Sequence, residues 1–298
     1  MTLSTPAKVV RGHTQHPRTF RAFQFVYPVL SRRSRGISIG INLNPDKVCN
    51  LDCIYCQVDR RTESAVRTVD VEVLLAELEE MLDQVLDGRL FEDEQFRDVP
   101  AELRRLNDIA FSGDGEPTTE RRFEEIVERV AQIKRRRGLD QVKIVLITNA
   151  TMFDRPAVNR ALEVLDQNQG EIWAKLDAGT EAYYRLVDRT SIPFQRVLRN
   201  ITDAARRRPL VIQSLFMRVR GEPPSEREID EFCLRLKEIV AVGGRIKLVQ
   251  VYTVARPPTE PYVTALSDAE VDAIAEKVRR AVGLPVEAYY GRSSDGES

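Results

Sequence analysis

No aspartate or glutamate precedes Asp46, whereas Lys8, Arg11, Arg18, Arg21, Arg32, Arg33 and Arg35 all do. Net charge over the 298 residues is −1, so this local excess creates no global basic field for nucleic acid. Cysteine is scarce at four residues, and histidine is limited to His13 and His16. That count excludes a secreted disulfide framework, which spreads more cysteines through a shorter chain. No apolar run reaches the ~18 residues a membrane helix needs. The stretch 23–30 is too short and contains Pro28. Pro6, Pro17 and Pro28 also break any amphipathic transit helix. Residues 1–35 therefore read as a basic N-terminal arm that packs on the body or touches an anionic substrate. No signal-peptide pattern is visible, and a reducing cytoplasm is the expected compartment.

What is present is a globular composition, 42% hydrophobic and 31% charged. From Gly36 the pattern becomes regular. Ile37, Ile39, Ile41 and Leu43 alternate with small or polar residues, as in a strand ending at Asn44-Pro45-Asp46. Asp70 is placed to cap a helix with Val71, Leu74, Leu75, Leu78, Leu82 and Val85 on one face, stopped by Gly88. Further strands are predicted at 108–111, 142–147, 172–176, 210–217, 246–252 and 286–290. Amphipathic helices fall between them. Alternating strands and helices imply a parallel sheet covered by helices. About six such units make an α/β fold, a full or partial parallel β/α barrel over 36–290, followed by a disordered tail at 291–298.

Cys49, Cys53 and Cys56 follow the first of these strands on a loop, with gaps of three and two residues. Such gaps let one loop wrap one metal centre. Three thiolates can fill three corners of a four-iron cluster and leave one iron without a protein ligand. A structural zinc site wants four ligands, so a Cys3His site would need the arm to fold back with His13 or His16. That alternative describes a non-catalytic zinc or RNA-binding protein. Cys233 shares a helix face with Ile229, Phe232, Leu236 and Ile239 and reads as a small buried hydrophobe.

The pattern C-x3-C-x2-C after a first strand, with Tyr55 just before the third cysteine, resembles the radical S-adenosylmethionine (SAM) superfamily. The lead-in Tyr27-Pro28-Val29-Leu30-Ser31-Arg32-Arg33 resembles the bacterial group similar to wyosine-base synthases of tRNA. The resemblance implies a 4Fe-4S cluster on Cys49, Cys53 and Cys56. It also implies reductive cleavage of SAM to a 5′-deoxyadenosyl radical, with an electron from a flavodoxin- or ferredoxin-type reductant. A wyosine-type synthase carries more cysteines for a second cluster, and this chain has none to spare. The substrate stays open between tRNA or another nucleotide, a peptide, and a small metabolite.

Ser112-Gly113-Asp114-Gly115-Glu116-Pro117 ends the next strand and resembles the superfamily's glycine-glycine-glutamate motif, with Asp114 as a departure. Glycines let backbone approach a ligand closely. The resemblance gives Gly113, Gly115 and Glu116 to the methionyl amine of SAM. It gives Asn149, Lys175 and Asp177 to SAM or substrate, and packs Tyr55 against adenine. Independently, Lys175 and Asp177 are two apart in a strand and share one face. A lysine inside a barrel is costly unless paired or functional. An ordinary strand-to-helix turn and a structural ion pair are the plainer readings of these two groups.

Overall fold

The computed structural model describes residues 18, 20–31 and 35–291. His13, His16, Arg32, Arg33 and the tail from 292 lie outside the described residues.

Among the described residues, ten strands and seven helices follow one another. They are β1 (Val26–Ser31), β2 (Gly36–Ile41), α1 (Val71–Leu86), β3 (Leu106–Phe111), α2 (Phe123–Arg136), β4 (Lys143–Thr148) and α3 (Pro156–Asp166). Then come β5 (Gly170–Lys175), α4 (Glu181–Asp188), α5 (Phe194–Arg207), β6 (Leu210–Leu215), β7 (Arg218–Val219), α6 (Glu226–Ala241) and β8 (Ile246–Tyr252). The last three are β9 (Val263–Thr264), α7 (Asp268–Val282) and β10 (Val286–Tyr289). β7 and β9 pair only with each other; the other eight strands form one sheet, in the order β1-β2-β3-β4-β5-β6-β8-β10. All neighbours pair in parallel except β1, which runs antiparallel to β2.

Each parallel strand lies beside its predecessor in sequence. With right-handed crossovers, that order sends every helix to the same face and curls the sheet. Ile37, Ile39, Ile41, Ile109, Phe111, Ile144, Leu146, Ile172 and Ile212 point outward into one core shared with the helices. Their neighbours point inward. Ala110, Val145, Trp173 and Val211 make a small separate cluster in the barrel interior. Ala174 and Leu176 are buried on the outer side of the strand whose inner side carries Lys175, as expected for a strand covered on both faces. β1 and β10 are the two ends of the sheet order and do not pair with each other among the described residues, so the barrel is partial.

One segment differs from the sequence reading. Val26–Ser31 was expected in the arm, yet it forms the edge strand β1. Pro28 hid it, because proline cannot donate to a ladder and is tolerated only at a sheet edge, where this strand lies. Its start is held by α1: the Glu77 carboxylate accepts the backbone N–H of Gln24 (2.7 Å), Phe25 (2.9 Å) and Val26 (3.2 Å). The connector at 89–106 carries two 3-10 turns, Arg89–Glu92 and Ala101–Leu103, before β3 begins. Asp70 caps α1 as expected, accepting from Glu72 and Val73 N–H. Cys233 is buried on α6.

A candidate cluster-and-SAM site at the open ends of the strands

The cysteine loop leaves the carboxyl end of β2 and is fixed by its apolar residues. Leu51, Ile54 and Tyr55 are buried, while the three cysteines stay half-buried. Backbone bonds pin the loop to the end of α4: Asp52 N–H donates to Asp188 O (3.1 Å) and Ile54 N–H to Val187 O (2.8 Å). Thr259 N–H donates to Cys56 O (3.0 Å) from the β8–β9 connection. None of the three cysteines forms a disulfide, and all three line one cavity of about 400 Å³. That volume suits a ligand of nucleoside size. Among the described residues no group of three or more His, Cys, Asp and Glu side chains is already placed to hold a metal ion. A cluster gives each thiolate its own iron. The soft, half-buried thiols along one wall fit such a cluster. Burial pushes the Cys49 and Cys53 thiols above their ordinary pKa, and Asp188 adds to this at Cys53.

The glycine turn after β3 is built against that loop. A side chain at Gly113 would meet Asn42 Oδ1 at 2.2 Å, and one at Gly115 would meet Val48 O at 2.3 Å. The close approach that needs glycine is thus to the segment leading into Cys49. Asp114, the departure from the motif, pairs with Asn42 in both directions (2.7 and 3.0 Å) and with Arg18 Nε (3.3 Å). Arg18 also donates to Gly113 O and lines the cavity.

Glu116 is buried, and burial raises its pKa against the pull of its hydrogen bonds. Oε1 accepts from Thr118 N–H (3.1 Å), Thr118 Oγ1 (2.6 Å) and Thr148 Oγ1 (2.7 Å). Oε2 has one donor, Asn149 N–H at 2.7 Å, and so keeps accepting capacity. The Asn149 side chain donates to Asn50 Oδ1 (2.8 Å), which ties the end of β4 to the cysteine loop.

Lys175 and Asp177 form an ion pair at 3.2 Å. Lys175 Nζ donates to the Tyr252 hydroxyl (3.0 Å) and lies 4.7 Å from the centre of the Tyr55 ring. Burial opposes its charge, but Asp177 and Tyr252 outweigh burial and raise its pKa. Asp177 also accepts from Leu215 N–H (2.7 Å) and the Tyr55 hydroxyl (2.5 Å). Tyr55, Gly113, Gly115, Glu116, Asn149 and Lys175 line the large cavity with the cysteines. Asp177 stands behind that wall, at a smaller pocket with Asp188.

Sequence reasoning did not single out Arg60 or Asp188. Asp188 accepts from Cys53 Sγ (3.2 Å), and burial first, then the charge of Asp177, raises its pKa to about 7. Arg60 lies 3.5 Å from Cys56 Sγ. Neither shows periodicity or motif spacing; only the fold brings Asp188 to Cys53.

A model of the radical SAM superfamily matches residues 43–220, more than half of the chain. The chain belongs to this superfamily.

Among curated relatives, a Helicobacter pylori UPF0026 protein (strain ATCC 700392 / 26695) is 25% identical over 77% of this chain and 66% of its own length. UPF0026 protein MJ1312 of Methanocaldococcus jannaschii is 28% identical over 54% of this chain and 43% of its own. A Brachyspira hyodysenteriae protein named GTPase Obg is 24% identical over 82% of this chain, which spans only 32% of that protein. Two solved structures share the fold. TYW1 with a lysine-pyruvate adduct bound has a TM-score of 0.52 at 17% identity, covering 82% of this chain and 73% of that one. A mutant of spore photoproduct lyase has a TM-score of 0.59 at 10% identity, covering 92% and 81%. Among the described residues no helix is long and apolar enough to cross a membrane.

Proposed function

We propose that Cys49, Cys53 and Cys56 hold one 4Fe-4S cluster with an open iron, and that SAM occupies the adjoining cavity. The observation that carries this reading is the shared wall: three free thiols, the Gly113–Glu116 turn, Asn149 and Lys175 all face one space. When bound, cluster and SAM together supply reductive cleavage of the sulfonium and a 5′-deoxyadenosyl radical that takes hydrogen from substrate.

The chain's own residues bind, orient and exclude water. The spare acceptor capacity of Glu116 Oε2 suits an ammonium group. Gly113 and Gly115 let β3 and the cysteine loop meet, and so fix where that carboxylate stands relative to the thiols. Asn149 couples the same turn to Asn50 beside Cys49. Lys175 is a fixed cation suited to a carboxylate or an electron-rich ring, with Asp177 and Tyr55 as its positioning partners. A flavodoxin- or ferredoxin-type protein supplies the electron, and a reducing cytoplasm keeps the thiols available.

For substrate we favour a tRNA or another nucleotide. Support comes from the lead-in 27–33 that resembles the tRNA-modifying group: Tyr27, Val29 and Ser31 of β1 line the same cavity. The test has two arms. Anaerobically reconstituted protein is expected to be brown, with about four irons and matching sulfide per chain; a colourless protein holding zinc refutes the cluster. Mass spectrometry of tRNA nucleosides from a strain lacking the protein is expected to show one lost modification. An unchanged profile refutes tRNA as substrate.

A further inference from the structure

The two ends of the cysteine loop are joined by one side chain. Arg60 lies four residues after Cys56, and its guanidinium forks. One arm, Nη1, donates to the carbonyl of Lys47, two residues before Cys49. The other, Nη2, donates to Cys56 Sγ at 3.5 Å. Nε is buried without a hydrogen-bond partner, in a residue that is half-buried overall. Lys47 sits at φ 62°, and its Nζ donates to Thr62 O (3.0 Å), a second tie between the same two segments. The turn that carries Arg60 is itself fixed: Asp59 accepts from Arg61 N–H (2.9 Å) and Thr62 Oγ1 (2.6 Å). Arg60 therefore faces Cys56 from a defined place and lines the cavity with it.

A guanidinium cannot lose its proton near neutral pH, so the charge at this spot is permanent. Arginine donates planar, charge-assisted bonds, and such bonds strengthen as the acceptor becomes more negative. A thiolate on an iron–sulfur cluster gains negative charge when the cluster takes an electron. Hydrogen bonds to sulfur and local charge are among the levers that set cluster potentials.

We propose that Arg60 is a positioning residue that sets the reduction potential of the cluster through Cys56, by stabilising its reduced state. The assignment rests on the reading that Cys49, Cys53 and Cys56 hold the cluster. It makes the cluster easier to reduce than the three thiolates alone would.

The test is a potentiometric titration of the reconstituted holoprotein, followed by visible absorbance and by electron paramagnetic resonance of the reduced state. At a fixed potential, Arg60→Met is expected to hold about tenfold less reduced cluster relative to oxidised than the parent, about 59 mV lower in midpoint for a one-electron couple. Arg60→Lys keeps the charge without the fork and is expected to fall between the two. Arg61→Met, at an exposed neighbour, is expected to leave the midpoint unchanged. Iron content and circular dichroism are measured on every variant. An unshifted midpoint in fully loaded Arg60→Met overturns the proposal. Loss of cluster from both Arg60 variants with the fold intact also overturns it, because Arg60 is then a fastener of the loop. A parent protein that binds no reducible cluster refutes the underlying site reading instead.

Discussion

Replacing Lys175 with methionine removes one half of an ion pair whose members are 18% and 2% exposed at their side chains. Breaking a buried pair from one side typically costs ~3–5 kcal/mol, because the remaining charge stays buried without its partner. Here Asp177 keeps two donors, Leu215 N–H at 2.7 Å and the Tyr55 hydroxyl at 2.5 Å. Those bonds, with the residual exposure of Lys175, place the expected loss at the low end, ~3 kcal/mol. Urea unfolding of the metal-free chain reads it as a lower midpoint at unchanged slope. Adding Asp177→Asn removes the stranded anion, and the double variant is expected to recover ~1–2 kcal/mol over the sum of the single losses. A Lys175→Met protein within ~0.5 kcal/mol of the parent, or strict additivity in the cycle, refutes the buried-pair argument.

Three further outcomes follow from named contacts. Glu77→Ala strands three backbone N–H groups at the start of β1 and is expected to cost ~2–4 kcal/mol; hydrogen exchange at residues 24–26 should accelerate ahead of the rest of the sheet. Burial pushes the Glu171 carboxyl up, but Lys247, Trp173 and Lys143 outweigh burial and hold it below its ordinary range. A lowered carboxyl stabilises above its unfolded pKa and loses that contribution as pH falls through its folded value. The melting-temperature gap between parent and Glu171→Gln should therefore be full at pH 7 and shrink as pH falls below ~4; a constant gap contradicts it. Gly115→Ala forces a methyl group onto Val48 O at 2.3 Å, beside Cys49. It is expected to lower the iron retained after reconstitution, measured by colorimetric iron assay.

Much of the site was legible because its signals are local. Three cysteines within eight residues need no tertiary information, and neither does a glycine turn after an apolar strand. The i, i+2 spacing of Lys175 and Asp177 suggested a pair, and the structure forms it, although β5 ends at Lys175 and Asp177 lies just beyond the strand. What escaped is long-range or masked by a local rule. Pro28 broke the strand pattern of β1, whose place at the sheet edge is a property of the whole fold. The glycines at 113 and 115 signalled close approach, but the sequence could not say that the approaching group is the chain before Cys49. Glu116 was expected to meet a ligand; two of its four hydrogen bonds are local, from Thr118 two residues on, and the other two, from Thr148 and Asn149, depend on the pairing of β3 with β4. Asp188 comes from a helix more than 130 residues after Cys53, and no sequence spacing announces that contact.

In the proposed site the three thiolates leave one iron open to SAM. The most direct measurement is the amount of 5′-deoxyadenosine released when reconstituted protein is incubated anaerobically with SAM and dithionite, for the parent and for Cys53→Ala. Product is expected from the parent and none above background from the variant. Equal yields from the two proteins, or none from a parent that carries its full iron, would contradict it.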